Sequence, residues 1–587
     1  MKPSTAPAPL SGRLKILFIG HSHHRVTKSS EFFIDWLRGI GDVSVEFDES
    51  WTSRVERDYR PLVGSFDMVV VWQITQTIRK LAEHGHRNLI FVPMYDSIHK
   101  QRKSYWRSLK NVKIICFSAA MRATCLSSRL DIYFIQYYPA GADAVPGGYD
   151  TKRLFFWQRK AWPNWQTVTS ILPACQFEKL HHHMAIDPGS EIPAGSEILP
   201  TRSETLQAGF GTSEWFDEKS DLIRKLKEFN LFFLPREREG IGFSFLDSME
   251  MGLVPVGFNQ PTFNEYVVDG INGFLVEKDQ RMDLPALAET AARMRHYLRK
   301  GRSVYLRSLS GLEAYLFKPV EVPNYYNTGV HRIFPKLQRR WRGRKPAPVT
   351  ASRERNRDSR PLVSVITVAG NDAPGLSRTF QNVFSQSHPS LEYVVVDWEC
   401  SAASRKLIRR HAGSIDHILP EQRGTLSDML VNAATVATGR YVLFLNPGDG
   451  FAEPTSVLDA FHDAPEEAGV IYGHSYRVDS GGDVSVRHAR SLDRSLELLR
   501  GQKPLPKDWV EGLPVSRSSF LDRAAILDLP RARHHLTDES LVIEVLASGA
   551  IPYHTNTVVT RLGATAAGAP DAEVIAALRE ISATFPT

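Results

Sequence analysis

Two carboxylates and two glycines stand close together in the stretch LFFLPREREGIGFSFLDSME, residues 231–250. A short apolar run leads into a loop with Glu239, Gly240 and Gly242, and a helix that carries Asp247 follows. Glycines let a ligand approach the backbone closely, and the first turn of a helix presents free N–H groups, so together they suit a diphosphate. Carboxylates accept hydrogen bonds from the vicinal hydroxyls of a ribose or a hexose. The spacing therefore indicates a pocket for a sugar and a diphosphate, although a tight turn beside a solvated carboxylate would look the same.

A second group of acids lies in the last third of the chain. Asp397 ends a predicted strand, a position suited to contact with a ribose or a base edge. Asp449 ends the Asn-Pro-Gly-Asp turn of residues 446–449, which follows the apolar run YVLFL, and Asp428 lies in the amphipathic helix before that run. A carboxylate on such a turn can present oxygens to Mg²⁺ or Mn²⁺, which bridge phosphates. A plain turn built by these four residue types is the structural alternative.

The elements that must position these residues follow an alternation of apolar runs and amphipathic stretches over residues 1–316, typical of βα units and a parallel sheet. The predicted strands of a first series are Lys15–Ile19, Met68–Trp72, Leu89–Val92, Val112–Cys116 and Ile132–Gln136, with helices such as Glu31–Arg38 between them. After the turn-rich residues 141–153, a second series comprises Leu154–Trp157, His182–Ile186, Leu231–Leu234, Val254–Phe258 and Gly273–Val276. We expect two doubly wound sheets with a cleft between them and ligands at the carboxyl ends of the strands. Neighbours in a strand face opposite sides, so the triplet His181–His183 is not expected to bind a metal.

A third series begins with Val363–Val368, Tyr393–Asp397 and Tyr441–Leu445, and residues 565–587 are predicted to form a short terminal helix. These patterns predict an α/β protein made of two Rossmann-like lobes and a separate α/β domain. The expected domains are residues 1–145 and 146–318 for the two lobes, a basic linker at 319–360, the third domain at 361–566 and a tail at 567–587.

Composition narrows the class of protein. The chain has 587 residues, a net charge of +7 and 42% hydrophobic residues, which is ordinary globular make-up. The positive charge is local, because Arg332–Arg360 holds eleven Lys or Arg against two acids. This stretch is rich in Pro and Arg and lacks an apolar period, so it is interpreted as a linker and no nucleic-acid partner is expected. The apolar residues at its start suit peripheral contact with an anionic membrane.

Cysteines and targeting signals favour a cytoplasmic location. The four cysteines are scattered, which makes a disulfide framework or a structural zinc site unexpected. The first residues lack the apolar core of a signal peptide, and no run approaches the length of a membrane span. The chain is therefore expected in the cytoplasm, with peripheral contact at the inner face of the cell membrane.

The first constellation resembles the donor-site signature of retaining glycosyltransferases of family 4, which have the two-lobed GT-B fold. The matching residues are Glu239, Gly240, Gly242, Asp247, Met249, Gly252, Pro255, Val256, Glu265, Gly270 and Gly273. The proline comes one position late, and Asp247 replaces the second glutamate of the signature. The resemblance implies that Glu239 contacts the transferred sugar, that Asp247 contacts the nucleotide ribose and that Glu265 belongs to the donor site. It implies no metal cofactor for this half.

Basic residues are also implied by this resemblance, since such enzymes neutralise the leaving diphosphate with them. Arg159 and Lys160, just after the strand LFFW, match the family's first basic loop, and Arg236 is a further candidate. Arginine is favoured for bidentate phosphate contacts, and a solvent-exposed base is the alternative for each. Weaker acceptor-side candidates, for which a structural role is an equal alternative, are His21, His23, His24, Asp96 and His99.

Residues from Val363 to about Leu562 resemble the inverting glycosyltransferases of family 2, which have the single-sheet GT-A fold. The resemblance rests on SVIT, SQSHPSLEYVVVD, ATGRYVLFLN and the N-x-G-D turn, where the usual acid-x-acid is Asn446–Gly448 here. It implies that Asp397 and Asp428 bind the donor, that Asp449 binds a divalent metal (Mg or Mn) and that Asp538 is the general base. An ordinary first-turn acid capped by Thr537 is the alternative for Asp538.

Together these resemblances predict a glycosyltransferase with two active sites. It would transfer sugars from nucleotide-sugar donors to a growing glycan, with a glycan or lipid-linked glycan as acceptor, in lipopolysaccharide or exopolysaccharide biosynthesis. Two alternatives stay open. The third domain could be a degenerate binding module, or the chain could be a membrane-surface scaffold that acts through its basic linker.

Overall fold

The computed structural model describes residues 13–50, 56–86, 88–141, 147–187, 209–278, 280–321, 363–422, 425–492, 512–529, 538–563 and 579. The chain divides into two compact units. The first unit comprises Met1–Glu265 and Asn272–Asn324, and the second comprises Tyr266–Ile271 and Tyr325–Thr587. Residues 322–360 of the predicted basic linker and, apart from Arg579, the predicted terminal helix lie outside the described residues. The predicted domain boundaries remain predictions.

The first sheet of the first unit has six parallel strands in the order β2-β1-β3-β4-β5-β6. The strands are β1 (Leu14–His21), β2 (Gly41–Asp48), β3 (Met68–Trp72), β4 (Leu89–Val92), β5 (Lys113–Cys116) and β6 (Asp131–Phe134). Its central strands are continuous apolar runs such as MVVVW, and every residue of β3 is buried. Helices cover both faces of such a sheet, which is why its strands do not alternate apolar with polar residues.

The second sheet of the first unit also has six parallel strands, in the order β12-β11-β10-β7-β8-β9. The strands are β7 (Arg153–Gln158), β8 (Lys179–Met184), β9 (Gly209–Ser213), β10 (Leu231–Phe233), β11 (Val254–Phe258) and β12 (Phe274–Val276). The two predicted Rossmann-like lobes are therefore confirmed as two separate parallel sheets.

Amphipathic helices connect these strands. They are α1 (His24–Thr27), α2 (Glu31–Ile40), α3 (Arg60–Val63), α4 (Thr75–His84), α5 (Tyr95–Ile98), α6 (Lys103–Ser108), α7 (Ala119–Ser127), α8 (Trp165–Ile171), α9 (Lys219–Leu226), α10 (Phe243–Glu250) and α11 (Ala288–Phe317). The 30-residue helix α11 ends against the first sheet, where Lys113 Nζ donates a hydrogen bond to the carbonyl of Leu316 at 2.6 Å. The side chain of Tyr315 also donates to the carbonyl of Asp131 at 3.0 Å. The last helix of the first unit thus returns to the sheet with which the chain begins.

The second unit contains one nine-stranded mixed sheet in the order β15-β14-β13-β16-β20-β18-β21-β17, with β19 paired to β18. The strands are β13 (Val363–Ala369), β14 (Leu391–Trp398), β15 (His417–Gln422), β16 (Tyr441–Phe444), β17 (Gly450–Phe451), β18 (Ala468–Val478), β19 (Val484–Arg487), β20 (Ser519–Asp522) and β21 (Ile551–Leu562). The helices are α12 (Ala373–Phe384), α13 (Ala402–His411), α14 (Leu426–Val436), α15 (Ser456–Phe461), α16 (Arg523–Leu527) and α17 (Asp538–Ala547). Strands β13 to β16 pair in parallel, whereas β20 joins β16 and β18 antiparallel. The predicted separate α/β domain is confirmed as this sheet with its helices.

The sequence pattern located most strands within one or two residues, with two kinds of exception. The predicted strand His182–Ile186 lies three residues too late, since β8 is Lys179–Met184. Strands β2, β9, β15 and β17 to β21 were not predicted. Strand β2 is an edge strand in which only the first and last residues are buried, and β9 is the Gly-containing edge of its sheet, so neither shows the apolar run of a central parallel strand.

Candidate active sites

Charged residues of the first unit gather where the strands of its second sheet end. Arg159 follows β7, Asp187 follows β8, and Arg236 and Glu239 follow β10. Strands β8, β7 and β10 are neighbours in the sheet. The carboxyl ends of parallel strands meet at one edge of a sheet, which is the usual ligand position in open α/β sheets. The sequence-predicted residues Arg159, Arg236 and Glu239 are thus brought to one place.

Asp187 holds the two arginines of this edge together. Arg159 Nε donates to Asp187 Oδ1 at 2.9 Å, and Arg236 Nη2 donates to Asp187 Oδ2. Burial would raise the pKa of Asp187, but the two guanidinium groups outweigh it and lower that pKa below its usual value. The carboxylate is therefore ionised and fixes both arginines, which leaves a net positive pair at the edge.

Glu239 lies beside this pair with one oxygen unpaired. Its side chain is buried and its Oε1 has no hydrogen-bond partner among the described residues, while its carbonyl accepts a hydrogen bond from Thr262 Oγ1 at 2.7 Å. Burial raises the pKa of Glu239, and the positive charges of Arg236 and Arg159 oppose that rise. A buried polar oxygen without a partner is costly unless a ligand supplies one, so Glu239 is suited to accept a hydrogen bond from a bound hydroxyl.

Asp96 reaches the same cluster from the first sheet of the unit. Arg236 Nη1 lies 3.6 Å from Asp96 Oδ2, and Asp96 Oδ1 is buried without a hydrogen-bond partner among the described residues. Burial raises the pKa of Asp96. Arg236 therefore lies between two carboxylates, Asp187 and Asp96, and two buried carboxylate oxygens in its neighbourhood remain available to a ligand.

The two predicted glycines each have a structural reason. A β-carbon on Gly240 would lie 3.1 Å from Met94 Sδ and 3.2 Å from Asp96 Oδ1, so the residue allows the two lobes to approach. Gly242 has φ of +92° at the start of α10, and a β-carbon there would lie 1.9 Å from the ring of Phe245. Glycine is required at Gly242 and is favoured by the close approach at Gly240, and their role in diphosphate binding stays a prediction.

Three further predicted donor residues of the first unit are Asp247, Lys160 and Glu265. Asp247 is partly buried at the fifth position of α10, and Lys160 is exposed directly after Arg159. Glu265 is buried, and its carboxylate accepts hydrogen bonds from Ser118 Oγ at 2.9 Å and from the backbone N–H groups of Ala119 and Ala120 at 2.6 and 2.9 Å. Burial raises the pKa of Glu265 to about 7. The structure uses Glu265 to cap helix α7, which the sequence did not predict.

The acceptor-side histidines cluster at the end of β1. The ring centroids of His21 and His24 are 5.8 Å apart, and burial lowers the pKa of each to about 4. The pKa of His23 is also lowered, first by burial, and Asp187, Arg159 and Arg236 act on it electrostatically. His23 therefore lies close to the charged edge, whereas His99 binds the carbonyl of Tyr95 through its Nδ1 at 2.9 Å.

The triplet His181–His183 alternates as a strand requires. His181 Nε2 and His183 Nδ1 both bind Ser213 Oγ at 2.8 Å, and His182 Nε2 binds Gln158 Oε1 at 2.8 Å from the other face. Burial lowers the pKa of His181 to about 3 and of the other two to about 4. The three rings are therefore neutral residues of the sheet core.

In the second unit, Asp397 ends β14 and is already paired. Arg405 Nε donates to its Oδ2 at 2.8 Å, and the backbone N–H of Cys400 donates to its Oδ1 at 3.1 Å. Burial would raise the pKa of Asp397, but the hydrogen bonds from Arg405 and Cys400 lower it. A ribose at this position would share the carboxylate with Arg405.

Two other predicted residues lie at the starts of helices. Asp428 is exposed and forms a capping box with Thr425 at the start of α14, with Thr425 Oγ1 donating to Asp428 Oδ2 at 2.7 Å. Asp538 is the first residue of α17. Its predicted role as the general base stays a prediction.

Asp449 lies on the predicted turn and is engaged on both oxygens. The backbone N–H of Asn446 donates to Oδ2 at 3.0 Å, and that of Gly563 donates to Oδ1 at 2.7 Å. Arg517 Nη1 lies 3.1 Å from Oδ2 and 3.4 Å from Oδ1. The carboxylate is 1% exposed, and burial raises its pKa while Arg517 opposes the rise. Because donors and a guanidinium already surround both oxygens, this carboxylate does not fit the role of a divalent-metal ligand.

Sequence reasoning missed three charged residues at these sites. Asp187 follows β8, and Arg159 follows the neighbouring strand β7. An acid after the strand next to a predicted basic loop could have indicated this pair in the sequence. Arg517 approaches the turn of Asp449 from a short 3-10 helix (Ser516–Ser518), and Arg378 approaches it from α12. Each lies more than sixty residues from Asp449, in opposite directions along the chain. No local pattern connects such distant positions.

Two segments of the chain match family models. Residues 211–299 match glycosyl transferases group 1, and residues 364–526 match glycosyl transferase family 2. The first segment contains Arg236, Glu239 and Glu265, and the second contains Asp397 and Asp449. The two resemblances predicted from the sequence are confirmed for these segments, and both families are families of transferases.

Individual relatives cover smaller parts of the chain. A stretch of 94 residues is 35% identical to TuaG of Bacillus subtilis, a glycosyltransferase named for teichuronic acid biosynthesis, and covers 15% of this chain and 37% of that protein. The chain thus spans well under half the length of this curated relative.

Solved structures match with low overall superposition. A mannosyltransferase of Pyrobaculum calidifontis, in complex with GDP-Man and Mn²⁺, is 18% identical over 39% of this chain and 62% of its own, with a TM-score of 0.26. The lipopolysaccharide outer core galactosyltransferase WaaB is 11% identical over 52% of this chain and 99% of its own, with a TM-score of 0.36.

Proposed function

We propose that this chain, which carries a group 1 and a family 2 glycosyltransferase segment, has two active sites that transfer sugars from nucleotide-sugar donors to a growing surface glycan. The proposed products belong to lipopolysaccharide or exopolysaccharide biosynthesis. The observation that carries the proposal is the charged edge of the first unit. There Asp187 fixes Arg159 and Arg236 beside the buried, unpaired oxygen of Glu239, within or next to the matched residues 211–299.

At the first site, the arginine pair is proposed to bind the diphosphate of the donor. Asp187 holds Arg159 and Arg236 in place before the donor arrives, so little side-chain freedom is lost on binding. As negative charge develops on the leaving diphosphate, the two guanidinium groups stabilise it. Lys160, Gly240 and Gly242 complete the proposed phosphate contacts, and no metal takes part.

The carboxylates of the first site are proposed to bind the sugars of the donor. Glu239 accepts a hydrogen bond from a hydroxyl of the transferred sugar through Oε1, which has no partner among the described residues. Asp247 on α10 contacts the ribose, and Glu265 supports the site by capping α7. Retention of the anomeric configuration is proposed from the resemblance to family 4.

At the second site, Asp538 is proposed to take the proton of the acceptor hydroxyl, with inversion at the sugar carbon. Asp397 and Asp428 are proposed to contact the nucleotide. The match to family 2 is compatible with a divalent metal (Mg or Mn), which would supply positive charge to the diphosphate. The proposal places no step through a metal, because both oxygens of Asp449 are engaged by the protein.

The same observation favours one alternative. If the second unit has no transferase activity because the carboxylate of Asp449 is engaged by the protein, that unit is a glycan- or nucleotide-binding module and only the first unit is an enzyme. The other alternative, a membrane-surface scaffold, depends on Arg332–Arg360, which lies outside the described residues.

The proposed acceptor is a glycan or a lipid-linked glycan. Such an acceptor lies at the inner face of the cell membrane, where the basic linker would make peripheral contact with anionic lipid. Within the described part of the chain, no helix is long and apolar enough to cross a membrane.

The test uses the full-length chain and a panel of nucleotide sugars, with release of nucleoside diphosphate as the readout. Glu239→Gln and Asp538→Asn should each abolish one of two separable activities, by roughly 100-fold or more if each residue takes part in chemistry. Glu289→Gln, on the exposed surface of α11, is the matched control. A chain that neither binds nor consumes a nucleotide sugar would exclude the proposal, and a single activity insensitive to Asp538→Asn would favour the module.

A further inference from the structure

The turn of residues 446–449 is held by helix α12. The backbone N–H of Gly448 donates to Thr379 Oγ1 at 3.0 Å, and Thr379 Oγ1 lies 2.8 Å from the carbonyl of Asp449. The first turn of α12 is in close contact as well, because a β-carbon on Gly375 would lie 3.0 Å from the backbone nitrogen of Gly448. The turn therefore has a fixed position relative to the first two turns of this helix.

Arg378, the residue before Thr379, places a guanidinium group at this turn. A β-carbon on Gly448 would lie 3.6 Å from Arg378 Nη2. The side chain is partly buried, and within the described ranges it makes no hydrogen bond or ion pair. Gly448 stands where the resembled family carries the second acid of its acid-x-acid pair. The chain thus has an unengaged cation beside the position at which an acidic side chain is missing.

Arg517 supplies the second positive charge, already neutralised by Asp449. A divalent ion placed at this turn would meet two guanidinium groups, the engaged carboxylate of Asp449 and, across Gly375, the carboxylate of Asp372, whose Oδ1 accepts a hydrogen bond from the backbone N–H of Gly375 at 2.8 Å. The two guanidinium groups repel a cation. Two positive charges therefore oppose a metal at this turn, and Asp449 offers it no free oxygen.

We propose that the second unit binds the diphosphate of its nucleotide-sugar donor without a divalent metal, with Arg378 in the place of the ion and Arg517 holding Asp449. This inference rests on the proposed function, because it assumes a nucleotide-sugar donor in the second unit. Arg378 is a binding residue, and Arg517 is a positioning residue that acts through Asp449.

The proposed step balances without a metal. The acceptor oxygen forms a bond to the anomeric carbon while the bond from that carbon to the diphosphate oxygen breaks, and the electron pair leaves with the diphosphate. The acceptor proton passes to Asp538. The nucleoside diphosphate gains one negative charge in this step, and the guanidinium of Arg378 stabilises it by charge-assisted hydrogen bonds.

The test measures binding of UDP, GDP, ADP and dTDP to the full-length chain by calorimetry, in excess EDTA and in excess Mn²⁺. We expect two binding events in EDTA, one at each unit, of which one weakens about tenfold in Arg378→Gln and less in Arg378→Lys, which keeps the charge but loses the fork. Arg409→Gln, an exposed arginine on α13, is the matched control and should bind as the unchanged chain does. Circular dichroism checks that each variant is folded.

Each other outcome has a definite meaning. Binding that requires Mn²⁺ and is unaffected by Arg378→Gln overturns this inference and leaves the proposed function standing. Stoichiometric Mn²⁺ bound at the chain itself, seen by electron paramagnetic resonance without nucleotide, overturns it as well. Absence of any nucleotide binding under both conditions overturns the inference together with the proposed function.

Discussion

In the first unit, Glu239 and Asp96 each keep a buried carboxylate oxygen without a partner among the described residues, whereas in the second unit both oxygens of Asp449 accept hydrogen bonds from the protein. All three acids follow strands that pair in parallel, Glu239 and Asp449 in loops and Asp96 in the short helix α5. The difference arises from the neighbours, because two backbone N–H groups and Arg517 donate to both oxygens of Asp449, whereas the groups beside Glu239 and Asp96 leave one oxygen of each without a donor among the described residues. An acid that follows a strand is thus free to bind a ligand when the protein leaves one of its oxygens without a hydrogen-bond donor, and it is a structural anchor when the protein donates to both.

The largest expected difference between the two units is the pH at which each unfolds in acid. Burial lowers the pKa to about 3 or 4 for five histidines of the first unit, His21, His24, His181, His182 and His183. In the second unit His474 has a pKa lowered to about 4 by burial. The native state keeps these rings neutral while the unfolded chain binds protons below its pKa of about 6.5, so stability is lost as pH falls from about 6.5 towards 4.

At roughly 1.4 kcal/mol per unit of pKa, His182 alone corresponds to about 3 kcal/mol once the pH lies below 4. Urea unfolding with pulse proteolysis and mass spectrometry, at a series of pH values, identifies which unit unfolds first. We expect the first unit to unfold at the higher pH and His182→Gln to flatten its pH dependence. Unfolding of the second unit at the higher pH would contradict the comparison.

Asp449→Asn should destabilise the second unit by about 3–5 kcal/mol, because the substitution leaves the guanidinium of Arg517 buried without its counter-charge. A metal ligand on the surface of a site would instead change activity with little effect on stability. Chemical denaturation of the full-length chain measures the effect, with the exposed Asp528→Asn as control. A change below about 1 kcal/mol would show that Asp449 is not a structural anchor.

Asp187→Asn should act the other way, with a larger effect on donor binding than on folding. The arginines lose the group that aligns them, so we expect donor affinity to fall about tenfold and unfolding free energy to fall by about 1–3 kcal/mol. Calorimetry with nucleoside diphosphates and denaturation are the two measurements. Unchanged affinity in a folded variant would remove Asp187 from the donor site.

The smallest effect concerns the capping box of α14. Thr425→Ala and Asp428→Ala should each lower the unfolding free energy of the second unit by about 1 kcal/mol, since each removes a capping contact. If Asp428 also contacts the donor as proposed, only Asp428→Ala raises the KM for the nucleotide sugar. Equal KM values in both variants would restrict Asp428 to its cap.

Sequence patterns located the central parallel strands because their signal is local. Apolar runs such as Met68–Trp72 and Val254–Phe258 are buried on both faces, so composition alone identifies them. The mixed half of the third sheet could not be predicted in this way, because polar residues interrupt the apolar ones in β18 (AGVIYGHSYRV) and β21 (IPYHTNTVVTRL). Distance along the chain hid Arg517, whose contact with Asp449 spans 68 residues, and the capping of α7 by Glu265 across the first unit.

Helix α11 has a consequence for how the first unit can be divided. The carbonyl of Leu316 in its last turn accepts a hydrogen bond from the ammonium group of Lys113. Lys113 is a buried residue of β5, and burial lowers its pKa to about 8. A fragment that ends near residue 145 would lack Leu316 and Tyr315 and would leave that ammonium group uncovered. The amino-terminal lobe is therefore completed by residues that follow the carboxyl-terminal lobe in the chain.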